Sequence, residues 1–163
     1  MLIRECRVNL AQTENMTQKL AEFLLLIPTA LFTGVVIFVA DVLQRVMNDL
    51  DEATFRRFVT ILYKRAVRGI FFVTFASLTF IGMVPYFYFW GFSNFWYTAG
   101  LVVFTLSSII SKVLSLPIYQ RVIALDGNDS DRLGEERVKL QRANNIRAVL
   151  CALSIVLMAV GFA

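Results

Sequence analysis

The sequence predicts an all-α integral membrane four-helix bundle, and three observations carry that expectation. Hydrophobic residues make up 58% of the 163 positions and charged ones only 17%, against about a quarter charged in soluble domains. Four apolar runs each reach the ~18 residues or more that a helix needs to cross a hydrocarbon core. No stretch alternates with a strand's period of two, so helices must satisfy the backbone groups that lipid leaves without partners. The spans fall at about 21–41, 69–90, 95–117 and 146–163, with helical extensions on the cytoplasmic side. Residues 1–19 read as a polar N-terminal tail and 20–163 as a single transmembrane domain.

The first apolar run, 23–40, starts beside Glu22 and stops at Asp41. It exceeds the ~7 to 15 apolar residues of a signal peptide and no small-x-small cleavage site follows, so it is read as a retained helix. Beyond it, Asp51 is placed to cap a helix whose Phe55, Phe58, Val59, Leu62 and Ala66 share one face. That helix is expected to run unbroken into the second span. Spans two and three flank a short uncharged connection, 91–94, and form an antiparallel hairpin. The run Asp126-Gly-Asn-Asp-Ser-Asp131 reads as a turn, after which helix resumes through Glu136 toward Asn144. Its acid spacing lacks the loop glycine and closing glutamate of a calcium hand.

Charge sets the orientation. Six basic residues (Arg45, Arg56, Arg57, Lys64, Arg65, Arg68) lie between spans one and two, and six (Arg121, Arg132, Arg137, Lys139, Arg142, Arg147) follow span three. The tail holds only Arg4, Arg7 and Lys19, and the hairpin turn none. Both charged connections are therefore expected in the cytoplasm with both termini outside. Interrupted by acids, these residues form no basic stripe for nucleic acid despite the net charge of +4. The absence of histidine excludes haem held by two imidazoles, His-based iron or copper sites and Ser-His-Asp catalysis. Cys6 and Cys151 lack metal-ligand spacing and read as unpaired thiols; no metal or cofactor is expected.

Nine of the twelve residues from Tyr86 to Tyr97 are aromatic, an interfacial belt first of all. Ser107, Ser111 and Ser115, and likewise Ala30 and Gly34, recur at steps of four and read as helix-packing seams. At the cytoplasmic end Asp41, Arg45, Arg68, Lys112, Asn144, Asn145 and Arg147 are expected at one level. Snorkelling to the headgroups accounts for Arg45 and Arg68. Lys112 lies deeper, with Asp41 its nearest counter-ion, and ionisable groups within a membrane are functional candidates by default. Asn144 and Arg147, at i,i+3, share a face. The candidate ligand-binding residues are thus Asp41, Lys112, Asn144, Asn145 and Arg147.

Three stretches carry a family resemblance: GVVIFVADVLQRVMNDLDEATFRRFVTILYKR from Gly34, then Leu116-Pro-Ile-Tyr-Gln-Arg-Val-Ile-Ala-Leu-Asp126, then Gln141-Arg-Ala-Asn-Asn-Ile-Arg147. In order and spacing the chain resembles small four-helix membrane proteins that include the anthrone oxygenases and many bacterial members. Pro117, Asn144 and Arg147 match that family's pattern, while Tyr119 stands where it has Asn and Leu140 where it has Trp. The resemblance implies cofactor-independent oxygen insertion into an electron-rich aromatic, with Arg147, Lys112 and an asparagine amide stabilising a phenolate or carbanion.

Two functional classes emerge. One, preferred because likeness does not transmit activity, is a non-catalytic or accessory membrane component that binds a lipid or apolar small molecule. The other is an oxygenase-like membrane enzyme acting on an aromatic or quinone-like substrate. A third, a small channel or transporter subunit, needs a homo-oligomer to build its pore and lacks the internal repeats of transporters.

Overall fold

The computed structural model describes residues 2–66, 68–125 and 129–163, with side chains from Thr13 onward except that of Glu14. Within these residues every regular element is helical. α1 (Leu2–Phe38) continues through a π-helical turn (Val39–Leu43) into α2 (Gln44–Asp49). α3 (Glu52–Ala66), α4 (Ile70–Phe89) and α5 (Phe95–Ile110) come next; a second π-helical turn (Ser111–Ser115) leads into α6 (Leu116–Ala124), and α7 (Ser130–Phe162) closes the chain. Four of these stretches are long and apolar enough to cross a membrane: Asn15–Asp49, Ile70–Phe89, Phe95–Ala124 and Ser130–Phe162. The all-α bundle is as expected.

Its boundaries differ in three places. The polar tail is the first part of α1, which starts at Leu2. The fourth span is the second half of one helix from Ser130, the extension expected through Glu136 toward Asn144 continuing into it without a break. And α3 does not run into α4. It ends at Ala66, Gly69 adopts an extended conformation (ψ 112°), and the amides of Arg68 and Gly69 bond to Arg65 O and Ala66 O at 3.1 Å each. Of the expected turn at 126–131, Asp126, Gly127 and Asn128 lie outside the described residues, and Ser130 and Asp131 already belong to α7. The Cys6, Arg4 and Arg7 side chains also lie outside them.

Helix length explains what the connections do. The 30 residues of Phe95–Ala124 extend about 45 Å at ~1.5 Å per residue, longer than a ~30 Å hydrocarbon core. The excess joins α2, α3, α6 and the start of α7 in a cap with its own apolar core of Met47, Phe55, Val59, Ile118, Val122, Leu133, Leu140 and Ala143. Ion pairs clasp its surface: Arg121 to Glu136 at 2.9 Å, Arg137 to Glu52 at 3.0 Å and Lys139 to Glu136 at 2.9 Å. Arg137 also reaches Leu50 O at 2.9 Å. Asp51 caps α3 through Thr54 N (3.0 Å), and hydrogen bonding from Thr54 holds its carboxyl below the usual aspartate range. The connections are a folded layer.

At the opposite end the α4–α5 turn closes on Gly91, whose φ of +55° is the left-handed conformation a helix C-terminus favours. Asn94 caps α5 by accepting from Tyr97 N at 3.2 Å. Its amide also donates to Gly161 O at 2.7 Å, and Lys19 donates to Phe162 O. The end of α7 and the membrane start of α1 therefore sit beside this hairpin turn, at the end opposite the cap.

Candidate functional site

The candidate site lies where the two π-helical turns meet α7. A π turn inserts one extra residue into a helix, rotating the residues beyond it by about 100° at ~3.6 residues per turn. The buried line of α1, Leu25, Phe32 and Val36, accordingly resumes at Gln44, which is buried. Asn144, also buried, donates its amide to Gln44 Oε1 at 3.0 Å. Gln44 passes a bond to Asn48 (3.1 Å), and Asn48 returns one to Gln141 on α7 (3.3 Å). Tyr119 of α6 lies against both Asn144 and Arg147.

Arg147 is half-buried, its guanidinium carbon 5.4 Å from the Phe32 ring centroid and 6.0 Å from that of Phe72. These are cation–π distances. Its Nε is buried with no hydrogen-bond partner, and among the described residues the guanidinium makes no ion pair. One turn further along α7, Cys151 Sγ and Ser107 Oγ are 3.0 Å apart, next to the Thr33 hydroxyl, which is buried without a partner. A cation, a phenol, an amide, a thiol and two hydroxyls thus line one buried strip, with no carboxylate among them.

The five residues singled out from sequence divide. Asn144 and Arg147 belong to this strip, whereas Asn145 is exposed. Asp41 and Lys112 lie within the π turns themselves and both point outward. Asp41 is bonded to Arg45 at 2.6 Å, so the expected Asp41–Lys112 pair is absent; four-residue spacing on one helix brings Arg45 to it first. Ala30 and Gly34 are exposed, so they form no seam within the bundle, while Ser107 and Ser115 are buried. Close approach occurs instead at Gly100, where Ser154 Oγ bonds to Gly100 O at 2.8 Å.

None of the comparisons with protein-family models, curated proteins and solved structures yields a match.

A second polar constellation lies at the end of the bundle opposite the cap. Glu22, taken from sequence only as the edge of a span, is 0% exposed. Its Oε1 accepts from Gln18 Nε2 (3.0 Å), Tyr86 Oη (3.2 Å) and Asn94 Nδ2 (2.9 Å), and its backbone carbonyl accepts from Tyr97 Oη at 2.6 Å. Oε2 is buried without a partner. A carboxylate one residue outside an apolar run was the available signal, and two of its three donors come from elements distant in sequence. The arrangement ties α1, α4 and α5 together. Among the described residues there is no cluster of metal-ligating side chains.

Proposed function

We propose that this protein is a non-catalytic or accessory membrane component that holds an apolar small molecule by an anionic or phenolic head at Arg147. The observation that carries the reading is a guanidinium recessed between Phe32 and Phe72 without a carboxylate to neutralise it. Burying an unpaired charge is costly, and an anion supplied from outside the chain relieves that cost. Asn144 and Tyr119 beside it offer an amide and a phenol for orientation. An electron-rich aromatic of the kind implied by the anthrone oxygenase-like resemblance fits the same donors, since a guanidinium stabilises phenolate charge.

The test separates charge from shape, because lysine keeps the charge but cannot copy the planar fork of donors. Wild type, Arg147→Lys and Arg147→Gln are purified in mild detergent, and bound small molecules are read by native mass spectrometry beside thermal stability. Arg147→Lys is expected to retain the fold and lose the ligand by about tenfold or more, the scale of one charge-assisted hydrogen bond. Equal ligand content in all three would exclude the site.

In the orientation we propose, both termini are outside and the cap is cytoplasmic, supported by twelve basic residues on the connections against three in the tail. In a Cys6→Ser, Cys151→Ala background, an impermeant thiol probe applied to sealed cells is expected to label Ala163→Cys and spare Ser130→Cys. The reverse pattern would invert the topology.

A further inference from the structure

The two basic connections look equivalent in sequence but differ in how their charge is used. Along α6 and the start of α7, Arg121, Arg137 and Lys139 are each engaged by Glu136, Glu52 or Glu135. Between α2 and α4, Arg56, Arg57, Lys64, Arg65 and Arg68 form no ion pair among the described residues. The acids that begin α3 are already committed, Asp51 to the cap with Thr54 and Glu52 to Arg137. Arg56 donates to Ile123 O at 3.2 Å, and its Nε is buried without a partner.

Space adjoins these cations. A groove of about 630 Å³ at the α3–α4 junction is lined by Lys64, Arg65, Arg68, Gly69, Ile70 and Phe71. Lys64 also lines a second groove, about 590 Å³, which runs back along α3 past Arg57 and Arg56 to Ile123. The two grooves make a basic track. Its far wall is apolar: Ile70 and Phe71, each 78% exposed, are the first residues of the span Ile70–Phe89. The extended backbone at Gly69 sets the cations of α3 beside the point where α4 enters the bilayer.

We propose that this junction is a binding site for an anionic phospholipid, its phosphate held by Lys64, Arg65 and Arg68 and its acyl chains lying along Phe71 and the lipid-facing side of α4. Charge complementarity selects an anion, and continuity of the groove with the exposed apolar start of a span selects a lipid over a soluble phosphate. Snorkelling accounts for single cations, each satisfied by any headgroup. Here three cations within five residues share one concavity and lack internal acids, an arrangement that discriminates between headgroups. On the opposite connection three cations are paired with glutamates, and the unpaired Arg132 and Arg142 lie in separate grooves, so it supplies an internal control.

The experiment uses the full chain in mild detergent, titrated with phosphatidylglycerol or phosphatidylcholine and read by native mass spectrometry. Wild type is expected to retain phosphatidylglycerol in preference to phosphatidylcholine. The triple variant Lys64→Gln/Arg65→Gln/Arg68→Gln is expected to lose on the order of a hundredfold in phosphatidylglycerol affinity, at about fivefold per basic residue. Arg132→Gln/Arg142→Gln, which removes exposed cations from the other connection, is expected to leave the preference in place. Equal loss in both variants, or no preference in wild type, overturns the site. Inorganic phosphate displacing the lipid at equal concentration would show a headgroup-only anion site and overturn the lipid assignment. If the triple variant fails to fold, Arg68→Gln alone and the wild-type preference decide the matter.

Discussion

Replacing Gly100 by leucine is expected to abolish the folded bundle, and replacing it by alanine to lower its thermal midpoint by several degrees. A Cβ built on Gly100 would meet Ser154 O at 2.7 Å and Met158 N at 2.9 Å, both backbone atoms of α7, as well as Met158 Cγ at 2.5 Å. A flexible side-chain end can move aside, whereas backbone moves only if the two helices separate. That separation would stretch the bond from Ser154 Oγ to Gly100 O and open the layer around Leu101 and Met158, both fully buried. Overpacking of this kind costs about 1–3 kcal/mol for a single added group, at roughly 2–4 °C per kcal/mol for a chain of this size. The control is Gly34→Ala. A Cβ there meets nothing within 4 Å, so the gain in helix propensity, up to about 1 kcal/mol, is expected to raise stability slightly. Thermal unfolding of the three variants in detergent, followed by intrinsic tryptophan fluorescence, reads the result. Equal shifts for Gly100→Ala and Gly34→Ala would show that α5 and α7 are not in close backbone contact.

Span number and helix order are properties the sequence states openly, because lipid admits few alternatives to apolar helices. Of the inward face of α7, only the pair Asn144 and Arg147 was read from the sequence. Leu133, Leu140, Asn144, Cys151, Ser154 and Met158 are buried, and from Leu140 onward these positions, with Arg147 among them, repeat at steps of four and three. That stripe carries Asn144 and Arg147 to the site. What hid the rest was the π turn. Continuing the repeat of Phe32 and Val36 at steps of three and four leads to Leu43, an apolar residue, whereas the inserted residue hands that place to Gln44. Polar Gln44 at the end of an apolar run therefore gave no sign that it faced inward.

Tyr119 and the cap were obscured for different reasons. Tyr119 stood out only as a departure from an asparagine pattern, yet the fold sets its ring beside Asn144 and Arg147 and stacks it on Tyr63 at 5.4 Å between centroids. The cap was invisible as a unit because its apolar residues are divided among four helices, each short or flanked by charge. Only Phe55 and Val59 of α3 announced a buried face. Their partners, Ile118, Val122 and Leu133, come from segments about sixty or more residues away, and no local pattern specifies such pairing.

Replacing Glu22 by leucine is expected to cost on the order of 3 kcal/mol, from three hydrogen bonds at about 1 kcal/mol each, and most of the loss should trace to one partner. Asn94 keeps its bond to Gly161 O at 2.7 Å and Gln18 keeps Ser93 Oγ at 3.0 Å. Tyr86, 1% exposed, loses the 3.2 Å bond to Oε1, which leaves its buried hydroxyl with only Thr98 and Gln18 nearby. An unsatisfied buried donor is penalised more heavily than the bond itself was worth, whereas removing both partners is close to neutral. Tyr86→Phe in the Glu22→Leu background is therefore expected to restore part of the stability, although Tyr86→Phe alone destabilises the wild type. Glu22→Gln retains a carbonyl oxygen for the three donors and is expected to fall well short of the leucine effect. A double-mutant cycle of thermal or denaturant unfolding in detergent measures the coupling directly. Additivity of Glu22→Leu and Tyr86→Phe to within about 0.5 kcal/mol would mean that the carboxyl does not hold α1 and α4 together at the end opposite the cap.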